Sequence, residues 1–174
     1  MGMDKRILMV IAQHQFRDEE FEHPKDVFGK KGFAVTVAAP EKKEATGAKG
    51  AKVTPDLSIA DAAQLQYDAV VVVGGGGARE YLWNNRTLFN ILNAHHAAGK
   101  PVAAICIAPV VLARAGLLKD VSATVFKEPE TLAEFAKYGV KLEEKDVVVS
   151  GRIVTANGPA AARAFGLAVS ALLA

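Results

Sequence analysis

Short apolar runs recur along this chain, and each is followed by a segment of helical character. Three of the runs, at residues 7–12, 70–73 and 102–105, are continuous but too short to form independent helices. Unbroken apolar strands of this kind are typical of a parallel sheet that helices cover on both faces. The alternation predicts an α/β fold of the flavodoxin-like, doubly wound type, in which ligands bind at the carboxyl ends of the strands.

Turn residues and periodicity place the other elements. Helices are predicted at about 18–31, 85–98 and 129–138, from Pro109 onward and from Pro159 onward, with strands at 34–38 and 123–125 and a hairpin over 147–155. Residues 46–50 have the composition of a turn between two weak strands, and residues 56–63 that of an irregular or short helical connection. All of these elements fit one mostly parallel sheet.

Cys106 is the only cysteine of the chain and lies where the strand at 101–105 meets a helix with Pro109 in its first turn. A side chain at such a turn, called a nucleophile elbow, stands above the carboxyl edge of the sheet, and the small Ala104 and Ala108 let strand and helix approach. Because helix amides favour an anion there, the predicted pKa of the thiol lies well below the usual value of about 8.5. Cys106 is either a nucleophile or redox centre, or a small buried apolar residue.

Two further groups of residues are expected at the same edge of the sheet. The four glycines at 74–77 expose amides that could cradle a phosphate, form an oxyanion hole together with the amide of Ile107, or only make a flexible turn. They match neither common glycine-rich phosphate motif. One of the three acids at 18–20 could reach the thiol, and its carboxyl would then be protonated at neutral pH or share a proton with the sulfur. Alternatively, all three are ordinary residues in the first turn of a helix, where negative charge is favourable.

Length and charge narrow the setting. The chain of 174 residues, half of them apolar, is expected to form a single domain over residues 1–174 that needs no disulfide or metal for stability. The formal charge of +2 is spread along the chain, and no apolar run approaches the roughly 18 residues of a membrane span. Neither nucleic acid nor a membrane is therefore an expected partner. The N-terminus has no signal-peptide pattern, so a cytoplasmic location is expected.

Four motifs together resemble a known superfamily. They are Gly-Lys-Pro-Val-Ala-Ala-Ile-Cys106 followed by Ala-Pro, the strand and glycines at 68–75, the Thr46-Gly47 turn and the segment 154–159. Taken in chain order, over nearly the whole sequence, they resemble the ThiJ/PfpI superfamily. This superfamily includes the parkinsonism-associated deglycase and the PfpI-type intracellular peptidases. The resemblance implies a domain of the class I glutamine-amidotransferase type, usually in a homodimer or larger assembly, with an oxidation-prone cysteine. It also implies that Glu20, four residues before Pro24, is the family's glutamate and that Gly75 holds its oxyanion-loop position.

Several positions depart from the pattern of that superfamily. Ile107 stands where the PfpI-type peptidases carry a histidine directly after the cysteine, so a Cys-His peptidase dyad of that kind is not expected. Residues 125–128 lack the histidine that deglycase and glyoxalase relatives often have, and Asn157 replaces an arginine that is common before the last helix. His95 and His96 are expected on the solvated surface of an outer helix.

Two functions remain open, and neither needs a cofactor or a metal. In the first, Cys106 attacks a small reactive carbonyl such as methylglyoxal or its adducts, Glu20 shuttles protons, and the amides of Gly75 and Ile107 hold the oxyanion. In the second, the protein is a redox-responsive stress protein whose Cys106 is oxidised to a sulfinic acid that Glu20 and the helix amides stabilise. Peptidase activity is disfavoured. The candidate pocket residues are His14, Gly76 and Asn157.

Overall fold

A computed structural model describes residues 4–174. Residues 1–3, part of the N-terminus in which the sequence has no signal-peptide pattern, lie outside the described residues. The strands are β1 (Arg6–Val10), β2 (His14–Phe16), β3 (Ala34–Ala39), β4 (Ala45–Gly47), β5 (Lys52–Val53), β6 (Leu57–Ser58), β7 (Ala69–Val72), β8 (Val102–Ile105), β9 (Ser122–Ala123), β10 (Lys141–Leu142), β11 (Val147–Ser150) and β12 (Ile153–Ala156). The helices are α1 (Asp18–Lys30), α2 (Ile59–Ala62), α3 (Gly77–Tyr81), α4 (Arg86–Ala97), α5 (Pro109–Arg114), α6 (Pro129–Lys137) and α7 (Ala162–Leu173), the last preceded by a 3-10 turn at Pro159–Ala161.

The central sheet confirms the predicted fold class. Its seven strands follow the order β11-β12-β8-β7-β1-β3-β6, and every neighbouring pair is parallel except the hairpin of β11 and β12. The longer parallel strands thus have the flavodoxin-like order, with β3 on one side of β1 and β7, β8 and β12 on the other. The direction of winding reverses between β1 and β7, and folds of this type bind ligands in the crevice at that point.

The core lies between the sheet and the helices that flank it. All residues of β7 and β8 are buried, which explains their unbroken apolar character. Helix α1 buries the predicted apolar side, including Phe21 and Phe28, and it packs closely along α7. A Cβ on Gly166 would lie 3.0 Å from the Cα of Pro24, so the glycine permits this close crossing. Among the helices of residues 4–174, none combines the length and apolar character needed to cross a membrane.

Most of the predicted elements are present. The structure also contains several elements that the sequence did not indicate, and these are short. Strand β2 has three residues and pairs with β4, strand β10 has two residues and pairs with β9, and α3 has five residues. Elements of two to five residues carry too few positions to show a period of 2.0 or 3.6, so periodicity cannot reveal them. Of these, β2 matters most here, because it runs along the glycines that follow β7.

The predicted surface position of His95 is wrong. The imidazole is buried, and its Nε2 accepts a hydrogen bond from the backbone N–H of Tyr67 at 3.1 Å. The other ring nitrogen, Nδ1, lies 2.7 Å from the carbonyl oxygen of Ile91 and therefore carries the proton. His95 joins helix α4 to the start of the β7 segment, a contact between residues 28 positions apart that no local pattern indicates.

Candidate active site

Cys106 directly follows β8 at a sharp turn into α5. Its backbone has a φ of +66°, in the left-handed region that residues with a side chain adopt only when the surroundings hold them there. Two hydrogen bonds do so: the Cys106 N–H donates to the Ala156 carbonyl at 2.9 Å, and the Cys106 carbonyl accepts from the Phe126 N–H at 2.7 Å. The Ala108 N–H donates to the Ile105 carbonyl at 3.0 Å and closes the turn. The strand-to-helix elbow is therefore formed as predicted.

Glu20 reaches this elbow from the first turn of α1 and is completely buried. A Cβ added to Gly74 would lie 2.6 Å from Glu20 Oε1 and 2.6 Å from Cys106 Cβ, so both side chains press on the same glycine. Neither carboxyl oxygen of Glu20 has a hydrogen-bond partner of good geometry. The Cys106 thiol and the Gly74 amide are nevertheless close enough to favour the charge of this carboxyl.

The segment that includes β2 lies across Gly75. This glycine has a φ of +103°, and an added Cβ would lie 2.5 Å from the Gln15 carbonyl oxygen and also collide with the Arg17 backbone nitrogen. The Arg17 N–H donates to the Gly74 carbonyl at 3.0 Å. Gln15 itself has a φ of +62° at an irregular register between β2 and β4, so a second strained residue lies at this edge. These contacts hold the glycines against the elbow.

The charges of Glu20 and Cys106 depend on each other. Burial raises the pKa of the Glu20 carboxyl to about 7. Burial and then the Glu20 carboxylate raise the pKa of the Cys106 thiol to about 12, although the amides of Gly75 and Ile107 lie near the sulfur and favour its anion. The predicted low pKa of the thiol is therefore wrong, because Cys106 is only 8% exposed and its sulfur loses more solvation than two amides replace. Between about pH 7 and about pH 12 the pair holds one proton, which lies on the thiol.

The neighbouring acid Asp18 has a structural contact instead. Its buried carboxylate accepts the backbone N–H of Lys49 at 3.1 Å with one oxygen and that of Ala51 at 3.0 Å with the other. Gly47 lies against the same carboxylate, with no space for a side chain. Asp18 thus fastens the turn between β4 and β5 to the start of α1, and Glu20 is the acid of this turn that faces the thiol.

Trp83 is a neighbour of the elbow that sequence analysis missed. Its indole N–H donates to the Ile107 carbonyl at 3.0 Å, across 24 positions of the chain. The guanidinium groups of Arg79 and Arg114 lie 5.4 and 5.1 Å from the centroid of the buried ring. Because Ile107 carries one of the two amides near the sulfur, the Trp83 hydrogen bond restricts the orientation of the elbow. No sequence signal could have indicated this contact, since it depends on how α3 packs.

The structure brings together only part of the predicted site. Cys106, Glu20, Gly75 and Ile107 meet, as described above. Asn157 lines a cleft of about 530 Å³ beside the elbow, with Phe126 and Pro159 among its other walls, and donates its backbone N–H to the Asp146 carbonyl at 3.1 Å. His14 and Gly76 are exposed at the same edge.

The exposed His14 packs edge-on against another ring. The imidazole of His14 and the ring of Tyr81 have centroids 6.1 Å apart and planes inclined at 64°. This contact joins β2 to α3, so the imidazole has a packing role whether or not it meets a ligand. Across residues 4–174, no group of three or more His, Cys, Asp or Glu side chains is arranged to hold a metal ion.

Comparison with protein families tests the resemblance that the sequence motifs carry. The pattern of the DJ-1/PfpI family matches residues 5–172. The chain belongs to the DJ-1/PfpI family. Its similarity to other members extends over most of their length as well as its own, as the following relatives illustrate.

Three proteins illustrate how much of the chain aligns with similar sequences. An uncharacterised protein of Methanocaldococcus jannaschii is 46% identical over 164 residues, which are 94% of this chain and 80% of that protein. A protein of Pyrococcus horikoshii named as a deglycase is 29% identical over 88% of this chain and 90% of its own length. A Caenorhabditis elegans protein named as a glutathione-independent glyoxalase is 25% identical over 97% of this chain and 89% of its own.

Solved structures of the DJ-1/PfpI family superpose closely on this fold. A ThiJ/PfpI domain protein from Brachyspira murdochii has a TM-score of 0.92 at 30% identity, over 99% of this chain and 98% of that one. The oxidised form of DJ-1 from Toxoplasma gondii has a TM-score of 0.86 at 31% identity, over 97% of this chain and 90% of that one.

The contacts of Gly75 predict the effect of adding one methyl group. We expect Gly75→Ala to lower the free energy of unfolding by at least about 2 kcal/mol, because the added Cβ meets backbone atoms of β2 at a positive φ. Gly76→Ala is the matched control, since φ at Gly76 is −57° and nothing lies within 4 Å of an added Cβ. Urea denaturation measures both variants, and equal stabilities of the two would contradict the described fit of the loop.

The pKa of Glu20 predicts a pH dependence of stability. Between its ordinary pKa of 4.5 and its folded value of about 7, the folded protein holds more protons than the unfolded chain, so stability falls as pH rises through this window. We expect the wild type to lose about 3 kcal/mol more than Glu20→Gln in free energy of unfolding between about pH 4 and about pH 8. Denaturation at both pH values tests this, with Glu22→Gln at an exposed position of α1 as control. Parallel pH dependences in wild type and Glu20→Gln would show that Glu20 titrates normally.

Proposed function

We propose that this protein of the DJ-1/PfpI family is a cofactor-independent enzyme that acts on small reactive carbonyls through Cys106 and Glu20. The observation that carries the proposal is the buried contact of these two side chains across Gly74, with the amides of Gly75 and Ile107 near the sulfur. A nucleophile, a proton carrier and two oxyanion donors are the groups that carbonyl addition requires. The relatives named as a deglycase and a glyoxalase support the same class of substrate.

The raised pKa values decide how addition begins. Because the pKa of the Cys106 thiol is about 12, a free thiolate is scarce at neutral pH, whereas Glu20 is ionised in part of the molecules at its pKa of about 7. Glu20 therefore removes the thiol proton as the sulfur attacks the carbonyl carbon. A carbon–sulfur bond forms, the carbonyl double bond becomes an oxyanion beside the amides of Gly75 and Ile107, and protonated Glu20 returns the proton to give a hemithioacetal.

For an α-oxoaldehyde such as methylglyoxal, the same carboxyl completes the reaction. Glu20 takes the proton from the hemithioacetal carbon to form an enediolate, whose hydroxyl proton passes to the neighbouring oxygen. Glu20 then returns its proton to the adjacent carbon, which leaves a thioester on Cys106. Water then hydrolyses the thioester, releasing a hydroxy acid and the free thiol. The reaction needs no oxidant or reductant, because the aldehyde carbon is oxidised while the neighbouring ketone carbon is reduced.

This mechanism predicts that activity follows the ionisation of Glu20. We expect kcat/KM for methylglyoxal to rise with pH through about 7, since the basic form of Glu20 is the active one. Glu20→Gln should lower turnover by a factor of about 100 or more, because the amide cannot exchange protons. Cys106→Ala should abolish it. Glu22→Gln, at an exposed site of the same helix, is the control that should keep wild-type turnover.

The outcome that would overturn the proposed role of Glu20 is rapid turnover that the Glu20→Gln substitution leaves unchanged. If the Cys106→Ala variant keeps the turnover of the wild type, the cysteine is excluded as the nucleophile. We also expect weak or absent peptidase activity, because Ile107 cannot accept a proton where the PfpI-type peptidases have a histidine. Cys106-dependent cleavage of unfolded peptides would contradict this expectation.

A second candidate function, oxidation sensing, is favoured by one observation. Both carboxyl oxygens of Glu20 are buried beside Cys106 without a partner of good geometry, so a protonated Glu20 could donate a hydrogen bond to an oxidised sulfur. Each of two peroxide molecules would add one oxygen atom to the sulfur and leave as water, giving a sulfinic acid. The oxidised DJ-1 of Toxoplasma gondii is a structural neighbour consistent with this chemistry.

Oxidation sensing predicts a different result from the same site. After peroxide treatment, intact mass should show two added oxygen atoms on the wild type and none on Cys106→Ala. Glu20→Leu should lower the melting temperature of the oxidised protein more than that of the reduced one, because it removes the hydrogen-bond donor. Carbonyl turnover by the wild type would be negligible in that case. Equal melting shifts for both redox forms would exclude a role for Glu20 in holding a sulfinate.

We further propose that the protein acts in the cytoplasm as a homodimer or larger assembly. This part of the proposal rests on its membership of the DJ-1/PfpI family. Sedimentation at several protein concentrations measures the assembly state directly, and a monomer at all of them would rule out the dimer.

A further inference from the structure

Arg17 joins the two parts of the candidate active site. Its backbone N–H donates to the Gly74 carbonyl at 3.0 Å, and its carbonyl accepts the Glu20 N–H at 3.1 Å. Arg17 is the residue before the first turn of α1, three positions ahead of Glu20, so both belong to the same side of the helix start. The side chain of Arg17 is 35% exposed. A solvent-accessible cation therefore lies beside the buried pair of Glu20 and Cys106.

The guanidinium group of Arg17 is held on one side and available on the other. Its Nε and Nη2 donate to the two carboxylate oxygens of Glu19 at 3.0 and 3.1 Å. Within residues 4–174, Nη1 has no hydrogen-bond partner. Lys49 Nζ also contacts Glu19, at 3.1 Å from Oε2, so this one acid is shared by two cations. Glu19 thus orients the guanidinium without neutralising both positive charges.

The other acids near Arg17 have different partners. Both oxygens of Asp18 accept backbone N–H groups of the β4–β5 turn. Glu20 is the remaining acid, and the positive charge of Arg17 acts on both Glu20 and Cys106. An anionic molecule that approached Cys106 without this cation would be repelled by ionised Glu20.

We infer that Arg17 selects the substrate by binding a carboxylate, so that the preferred carbonyl compound is an α-oxoaldehyde that also carries a carboxylate group. This inference rests on the proposed function and names the substrate class within it. A guanidinium whose Nε side is occupied still presents N–H groups on its Nη1 side, and charge-assisted hydrogen bonds of this kind are short and strong. Arg17 acts in substrate binding, while addition and proton transfer belong to Cys106 and Glu20.

Alkylation of Cys106 tests anion binding without requiring enzyme activity. Iodoacetate and iodoacetamide both alkylate the Cys106 sulfur, which displaces iodide from the reagent. Only iodoacetate carries a negative charge. We expect Arg17→Gln to lower the ratio of the iodoacetate rate to the iodoacetamide rate at least about fivefold. A change in the amount of thiolate affects both reagents equally, so it cancels in the ratio.

Two further variants separate a specific contact from general electrostatics and from misfolding. Lys49→Gln removes the other cation on Glu19 and should leave the ratio within about twofold of wild type, since the charge of this more exposed side chain is screened by solvent and salt. Arg17→Lys keeps the charge without the planar group and should give an intermediate ratio. An unchanged ratio in folded Arg17→Gln, or an equal fall in Lys49→Gln, would overturn the inference.

Turnover measurements then test the substrate class. For dioxovalerate, an α-oxoaldehyde with a carboxylate, Arg17→Gln should raise KM about tenfold with a smaller effect on kcat. For methylglyoxal, which has no charge, the rise in KM should be at least about fivefold smaller than for dioxovalerate, since only the general effect of the lost charge on Glu20 remains. Turnover of methylglyoxal without any Arg17-dependent preference for dioxovalerate would refute this inference alone. If the wild type turns over neither compound, the proposed function fails, and the alkylation ratio still decides whether Arg17 binds anions.

Discussion

The fit of two glycines between three chain segments is the constraint on which the candidate site depends. Gly74 lies where a side chain would meet Glu20, Cys106 and the Ile105 carbonyl, and Gly75 lies where it would meet the backbone around β2. With these two positions free of side chains, the acid from α1 and the cysteine after β8 can approach across the end of β7. The glycines follow the strand at which the winding of the sheet reverses, so the fold itself provides the crevice that they line.

Burial gives Glu20 and Cys106 their chemistry, and it also lowers the stability of the fold at pH values where Glu20 is ionised. Taking the carboxyl of Glu20 out of water moves its pKa to about 7, which suits a group that must both accept and donate a proton near neutral pH. The same burial moves the pKa of the Cys106 thiol to about 12, so the cysteine depends on its neighbour for proton removal. Such a site favours attack by the sulfur together with proton removal over attack by a preformed thiolate. The left-handed backbone of Cys106 is a second strained feature of the site.

The surroundings of the pair limit which groups can take part in its chemistry. Ile107 is apolar and gives the elbow no proton carrier, so the proposed base against the sulfur is Glu20, whose charge acts on the thiol. The polar contacts come from elsewhere. The Trp83 indole N–H donates to the Ile107 carbonyl, and the partly exposed guanidinium of Arg17 carries a positive charge that acts on Glu20 and Cys106.

The sequence by itself determined the α/β class and the elbow at Cys106, because apolar runs and helix-start residues are local patterns. It left three acids open at 18–20, and only the resemblance to the ThiJ/PfpI superfamily pointed to Glu20. Only the tertiary structure decided the ionisation of Cys106, the burial of His95, the anchoring role of Asp18 and the contact of Trp83 with the elbow. The physical reason is that desolvation and long-range hydrogen bonds depend on which segments pack around a group. The helix amides near Cys106 were foreseeable from sequence, but the loss of water that outweighs them was not.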